Sequence, residues 1–143
     1  MTLYLDTSSL VKLYVAETGS DAVRALLDRA TVVATSSVAY AEARAAFARL
    51  RRDRRLSAAA HADLKRHLDA DWPAYLTIDA GDALCRSAGE LTEQYRLRGF
   101  DSIHLASFAE VARRAGVTDT RFSSFDEPLN QAARTLARRL ARG

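Results

Sequence analysis

Five carboxylates stand where an apolar, β-leaning stretch gives way to a helical one, or just inside the helix beyond. Asp6 closes "TLYL", Asp79 closes "AYLTI" and Asp126 follows "RFSSF". Asp101 opens a helix after Gly99-Phe100, and Glu42 lies one to two turns into an alanine-rich helix. Taken singly, an aspartate at such a place is a helix N-cap, worth about 1 kcal/mol, and it complements the positive end of the helix dipole. Glu42 lies past any cap. Its neighbours at three and four residues are Val38, Ala39, Ala45 and Ala46, so it is expected to face the protein. Taken together, acids gathered at one edge repel one another and lose hydration, a cost that a cation among them removes. Oxygen-only ligands suit hard cations, Mg²⁺ or Mn²⁺. Such a cluster serves phosphoryl chemistry, in which metal-bound water attacks and the ion neutralises phosphate charge. Spacing alone leaves open which four of the five acids meet.

The elements that must position these acids alternate. Strands are expected at 2–5, 31–35, 74–78 and 121–125. A short helix, "LVKLYVAE", follows the first strand. Gly19-Ser20-Asp21 then breaks the chain before a helix with Val23, Leu26, Leu27 and Ala30 on one face. Ser36-Ser37 is expected to cap a helix running to about Arg52. Ser57 starts another that ends near Trp72-Pro73, because proline disfavours helix at the residue before it. Asp79 starts a helix carrying Leu84, Ala88, Leu91 and Tyr95 at helical spacing, which Gly99 ends. A helix over 101–114 is closed by Gly116. The last helix, 126–140, carries Leu129, Ala132, Leu136 and Leu140 in one stripe, read as core. This order gives an α/β fold, a three-layer α/β/α sandwich on a mostly parallel sheet of four or five strands, in a single domain over 1–143. Every strand of such a sheet ends at one edge, and ligands bind beyond it.

The bulk numbers fit. The chain has 143 residues, 48% hydrophobic and 27% charged, with a net charge of +3, the balance of an ordinary globular protein. No signal peptide and no membrane span are expected, and the single cysteine, Cys85, read as small core filler, suits a reducing cytoplasm. Two of the 21 basic residues, Lys12 and Lys65, are lysine, and the rest are arginine. Arginines cluster in 49–55 and 134–143, either to track a phosphate backbone or as solvated helix faces. No phosphate-binding loop, dinucleotide fingerprint or HExxH motif is present. No serine sits in a nucleophile elbow. His104, three residues after Asp101 and on the same helix face, is expected to support structure or to hold a residue of the site rather than to catalyse.

Four blocks in register, "LYLDTSSLVKLYVAE", "TSSVAYAEARAAF", "RGFDSIHLASFAE" and "FSSFDEPLNQAA", resemble the PIN-domain ribonucleases, and most closely the VapC-like toxins of bacterial toxin–antitoxin pairs. The resemblance spans nearly the whole chain. It implies a metal-dependent endoribonuclease with the acidic quartet Asp6, Glu42, Asp101 and Asp126, favouring Asp126 over Asp79 and Asp119. The family's hydroxyl two residues before the last aspartate would be Ser124. Asp6 and Asp101 would then hold Mg²⁺ or Mn²⁺ directly, with Glu42 and Asp126 acting through water or a second ion. Arginines of 49–55, Arg51 and Arg52 among them, would guide the RNA backbone. The resemblance also implies a small antitoxin partner and a homodimer. The rival reading is a non-catalytic, arginine-rich RNA- or protein-interaction module on the same fold. A phosphoacceptor receiver domain is disfavoured because Lys12 and Lys65 are both misplaced. A haloacid-dehalogenase-like phosphatase is disfavoured because Ser8 stands where its second acid belongs.

Overall fold

A computed structural model describes all 143 residues. β1 (Thr2–Leu5) is followed by α1 (Thr7–Tyr14) and α2 (Ser20–Arg29). β2 (Val32–Ser36) is followed by α3 (Val38–Arg52) and α4 (Ala58–Asp71). β3 (Leu76–Ile78) leads to α5 (Asp82–Tyr95) and α6 (Gly99–Ala115), and β4 (Thr120–Ser123) to α7 (Glu127–Arg142). All three strand pairings are parallel, in the order β3-β2-β1-β4.

The alternation along β1 explains the layers. Leu3 and Leu5 enter one core with Leu10, Val23, Ala43, Phe47 and Leu68 from α1–α4. Tyr4 enters the other with Leu105, Phe108, Leu129 and Leu136 from α6 and α7. A strand covered on both faces has no polar side, which is why β1 reads as a continuous apolar run. The stripe on α7 is core as expected, with Leu129, Ala132 and Leu136 buried. No helix is long and apolar enough to cross a membrane.

From β1 the chain winds to β2 and β3 on one side, whereas β4 returns to the other side of β1. The order in which strands are added therefore reverses between β1 and β4, the place where α/β folds open a crevice. Asp6 stands at that point, its N–H donating to the Ser123 carbonyl at 3.1 Å.

Several local expectations change. Asp79 does not cap α5: the helix starts three residues later, behind Gly81. Ser37 does not cap α3. Its hydroxyl accepts from Ala80 N at 3.1 Å, while Ser36 Oγ accepts from Val38 N at 3.3 Å. Helix α5 ends at Tyr95, with Arg96 in the left-handed conformation, and Gly99 opens α6 instead of closing α5. β4 stops at Ser123, because Ser124 and Phe125 turn their polar groups toward Asp6 and Ser8. Cys85 is exposed, not core. Ser57 caps α4 as expected, accepting from Ala60 N at 3.0 Å.

Candidate active site

Asp6 is the hub. Its residue is only 4% exposed. Oδ1 accepts from Ser9 N at 3.0 Å, so Asp6 does cap α1, and also from the Ser8 hydroxyl at 2.7 Å. Oδ2 accepts from the Ser124 hydroxyl at 2.6 Å. Each serine is itself fixed by a backbone donor: Ser8 Oγ accepts from Phe125 N and Ser124 Oγ from Asp126 N, both at 3.0 Å. With those lone pairs engaged, both hydroxyl protons are committed to the carboxylate. Burial nevertheless pushes the Asp6 pKa up, against the bonds from Ser124, Ser8 and Ser9. No basic side chain forms an ion pair with it.

Glu42 sits beside this hub. The Thr7 hydroxyl donates to its Oε1 at 2.6 Å, and His104 Nε2 lies 3.0 Å from the same oxygen and 3.1 Å from Thr7 Oγ1. On the far side of the ring, Nδ1 is 2.9 Å from the Tyr4 hydroxyl. Burial drives the Tyr4 pKa well above the usual range, with Ser107 opposing and the Asp6 and Glu42 charges adding. Tyr4 therefore keeps its proton and donates to Nδ1, which leaves the Nε2 hydrogen to point at Glu42 and Thr7. At Glu42 burial also acts upward, but hydrogen bonds from His104 and Thr7 prevail and the pKa falls. Two neighbouring acids are thus pushed in opposite directions, a pattern of functional sites.

Asp126 joins through Ser124 and also caps α7, accepting from Leu129 N at 3.3 Å. Asn130 Nδ2 donates to the Ser124 carbonyl at 2.9 Å, which fixes the β4–α7 turn. Asp101 lies in the first turn of α6, one turn before His104, and its Oδ2 accepts from Arg98 Nε at 3.1 Å. Hydrogen bonds through Ser124 and Ser8 tie Asp6 to the backbone of the Phe125–Asp126 turn; Glu42 is bonded to Thr7, the residue after Asp6, and to His104, one turn beyond Asp101. Asp79 belongs instead to a separate cleft of about 690 Å³ between β3, α5 and α6, with Asp82 and Arg113. Arg51 and Arg52 are exposed at the far end of α3. Nine residues of helix, about 14 Å, separate Arg51 from Glu42.

Thr7, Ser8 and Arg98 were not singled out from sequence. The hydroxyl pair directly after Asp6 in "LDTSS" was the available signal for the first two, and a basic residue three before Asp101 for the third.

The donor set fits a hard divalent cation. Asp6 is a buried carboxylate with no cationic partner, and its neighbours offer oxygen rather than sulfur. No three His, Cys, Asp or Glu side chains converge tightly enough to enclose an ion. An ion at this edge would therefore be held by one or two carboxylates, with water in the remaining positions, as is usual for Mg²⁺.

This fold and its acidic edge define a known class: the PIN domain family model matches residues 3–138, and the chain belongs to that family. Among curated relatives, Ribonuclease VapC45 and Ribonuclease VapC49 of Mycobacterium tuberculosis are each 37% identical over 105 residues, covering 73% of either chain. Ribonuclease VapC46 of the same species is 35% identical over 141 residues, covering 94% of this chain and 92% of its own length.

Proposed function

We propose that this chain is an endoribonuclease that hydrolyses RNA phosphodiester bonds with Mg²⁺ or Mn²⁺, and that it is the toxin of a bacterial toxin–antitoxin pair. The observation that carries the reading is Asp6: a buried carboxylate at the sheet's switch point, tied through two serines to the Asp126 turn and left without a basic counter-charge. Family membership and the three ribonuclease relatives support the choice of RNA.

Asp6 and Asp101 would hold the ion directly, with Glu42 and Asp126 acting through water. When bound, the ion lowers the pKa of a water to make the nucleophile and offsets charge on the phosphate. The chain's own residues do the rest. Ser8 and Ser124 fix both Asp6 oxygens, so the carboxylate does not rotate. Thr7 and His104 keep Glu42 ionised and aimed. Arg98, bonded to Asp101 and largely exposed, sets a guanidinium at the mouth, where a phosphate oxygen is a suitable partner. Arg51 and Arg52 would act more remotely, on backbone phosphates away from the cut. As part of the same reading, the 143 residues act as a single cytoplasmic domain, pair as a homodimer and are held in check by a small antitoxin.

The test compares wild type with Asp6→Asn, both free of antitoxin, on a mixed RNA pool with Mn²⁺ and with EDTA. Cleavage by wild type alone, and only with the ion, is expected. Equal cleavage by the variant, or cleavage that survives EDTA, refutes the mechanism. Failure of wild type on every RNA favours the arginine-rich interaction module.

A further inference from the structure

Four large hydrophobic side chains are exposed: Val32, Leu76, Phe100 and Phe125. The first two lie in strands, Leu76 in the edge strand β3. The two phenylalanines differ in kind, because each immediately precedes an acid of the quartet: Phe100 before Asp101, Phe125 before Asp126.

Phe125 is 47% exposed, yet it is held in place. Its N–H donates to Ser8 Oγ at 3.0 Å, the same hydroxyl that bonds Asp6. The Lys12 ammonium, paired with Glu17 at 3.1 Å, lies 4.6 Å from the ring centroid. The ring also presses on Gly19, which has a φ of +95° and where an added Cβ would lie 2.6 Å from Phe125 Cε1. One side of the ring is therefore fixed by Lys12 and a residue that must be glycine, and the rest stays open. Phe100, 57% exposed, sits in the first turn of α6. It lies four residues before His104, hence on the same helix face. Arg98, two residues before Phe100, bonds Asp101. Each exposed ring is thus accompanied by an acid of the site and by a cation.

Aromatic surface paired with positive charge is the pattern by which single-stranded nucleic acid is held, bases on rings and phosphates on cations. A purely apolar protein partner would have no use for the cations. We propose that Phe125 and Phe100 are base-stacking platforms at the mouth of the site, each taking one unpaired base beside the phosphate presented to the acids. This rests on the ribonuclease reading above and adds to it the two side chains that hold the bases next to the phosphate presented to the acids. In a duplex the bases are stacked on one another and cannot reach the rings.

Two measurements test this on the full chain. The first is steady-state cleavage of an unstructured oligoribonucleotide pool. Phe125→Ala and Phe100→Ala should each raise KM by about 5- to 140-fold, the span expected for loss of one stacked base. The kcat should stay in place, and Phe→Tyr or Phe→Trp should restore KM. The second is binding, in EDTA, of a 2′-O-methyl oligonucleotide carrying 2-aminopurine, which is not cut. Wild type and the aromatic variants should quench its fluorescence, and the alanine variants should not. Wild type that quenches without cutting any RNA retains the platforms while removing the nuclease. Wild type that cuts with a KM indifferent to both rings retains the nuclease and overturns the platforms. Absence of quenching by wild type overturns them as well. If the rings seat a protein instead, both RNA readouts stay unchanged in the alanine variants, and the proposal falls.

Discussion

Removing the Ser124 hydroxyl isolates the chemistry of Asp6. In Ser124→Ala, Asp6 Oδ2 loses a donor at 2.6 Å and Asp126 N loses its acceptor at 3.0 Å. A hydrogen bond to a charged group contributes about 1.5–3 kcal/mol, whereas the half-buried Asp126 N–H recovers part of its loss from water. The expected cost at neutral pH without divalent ion is therefore about 2–3 kcal/mol. For a chain of this length that lowers the melting midpoint by about 6–12 °C. The pH dependence carries the sign. Burial already raises the Asp6 pKa, so ionising it works against folding: the stability linked to its neutral form is complete at low pH and is lost as pH rises through the raised pKa. Ser124 favours the ionised form, and its removal raises the pKa further. The variant's deficit should thus be small in acid and grow as pH rises. Urea unfolding of both proteins in EDTA, from about pH 4 to pH 8, reads this directly, since that window starts at the ordinary carboxylate range. A deficit independent of pH, or one largest in acid, refutes the placement of Ser124 as the donor that supports the Asp6 charge.

Three further outcomes follow from the same geometry. Thr7→Val takes away a donor that holds the Glu42 pKa down, so stability present above the ordinary glutamate range should fall by about 1–2 kcal/mol at neutral pH. The gap should close as pH drops through the Glu42 pKa, and urea midpoints at two pH values check it. Added Mn²⁺ or Mg²⁺ should raise the melting midpoint of wild type, by an amount equivalent to about 2.7 kcal/mol at a hundredfold excess over Kd. Asp6→Asn should respond little, and a flat wild-type midpoint counts against an ion at Asp6. Gly19→Ala combines a left-handed φ with a clash against Phe125, so it should destabilise by about 1–3 kcal/mol and displace the ring. Unchanged melting of that variant contradicts the packing described.

The parts of the site that sequence made legible are those fixed by neighbours along the chain. "TLYL" before Asp6 is apolar because β1 is covered on both faces, and Asp6 and Asp126 do cap their helices. Glu42 is half-buried in its row of small residues, where helical spacing put it. Spacing alone left five acids standing; the family resemblance named four, and Asp79 lies in the cleft with Asp82 and Arg113. Partners far apart in the chain were not legible. His104 was expected to support structure or a site residue, but which partners it would take was not readable, since its bonds to Tyr4 and Thr7 span 100 and 97 residues. Ser37 has good capping chemistry, and Ala80, which no local pattern connects to it, takes the hydroxyl instead. Cys85 lies on a helix covered on one face only, and its position falls on the other. The α5–α6 break was misplaced because Arg96, not a glycine, adopts the left-handed turn.

The pairing of β1 with β4 has a consequence in time. Ser124 and Asp6 are 118 residues apart, and β4 leaves the ribosome after β1, β2 and β3. At synthesis rates of about 5–20 residues per second, Asp6 waits about 6–24 s for the hydroxyl that completes its surroundings. During that interval β1 lacks its outer neighbour and presents an unpaired edge to anything nearby. Closing so long a loop is also slow compared with forming the local helices. A nascent chain released early therefore carries Asp6 without its Ser124 and Asp126 partners.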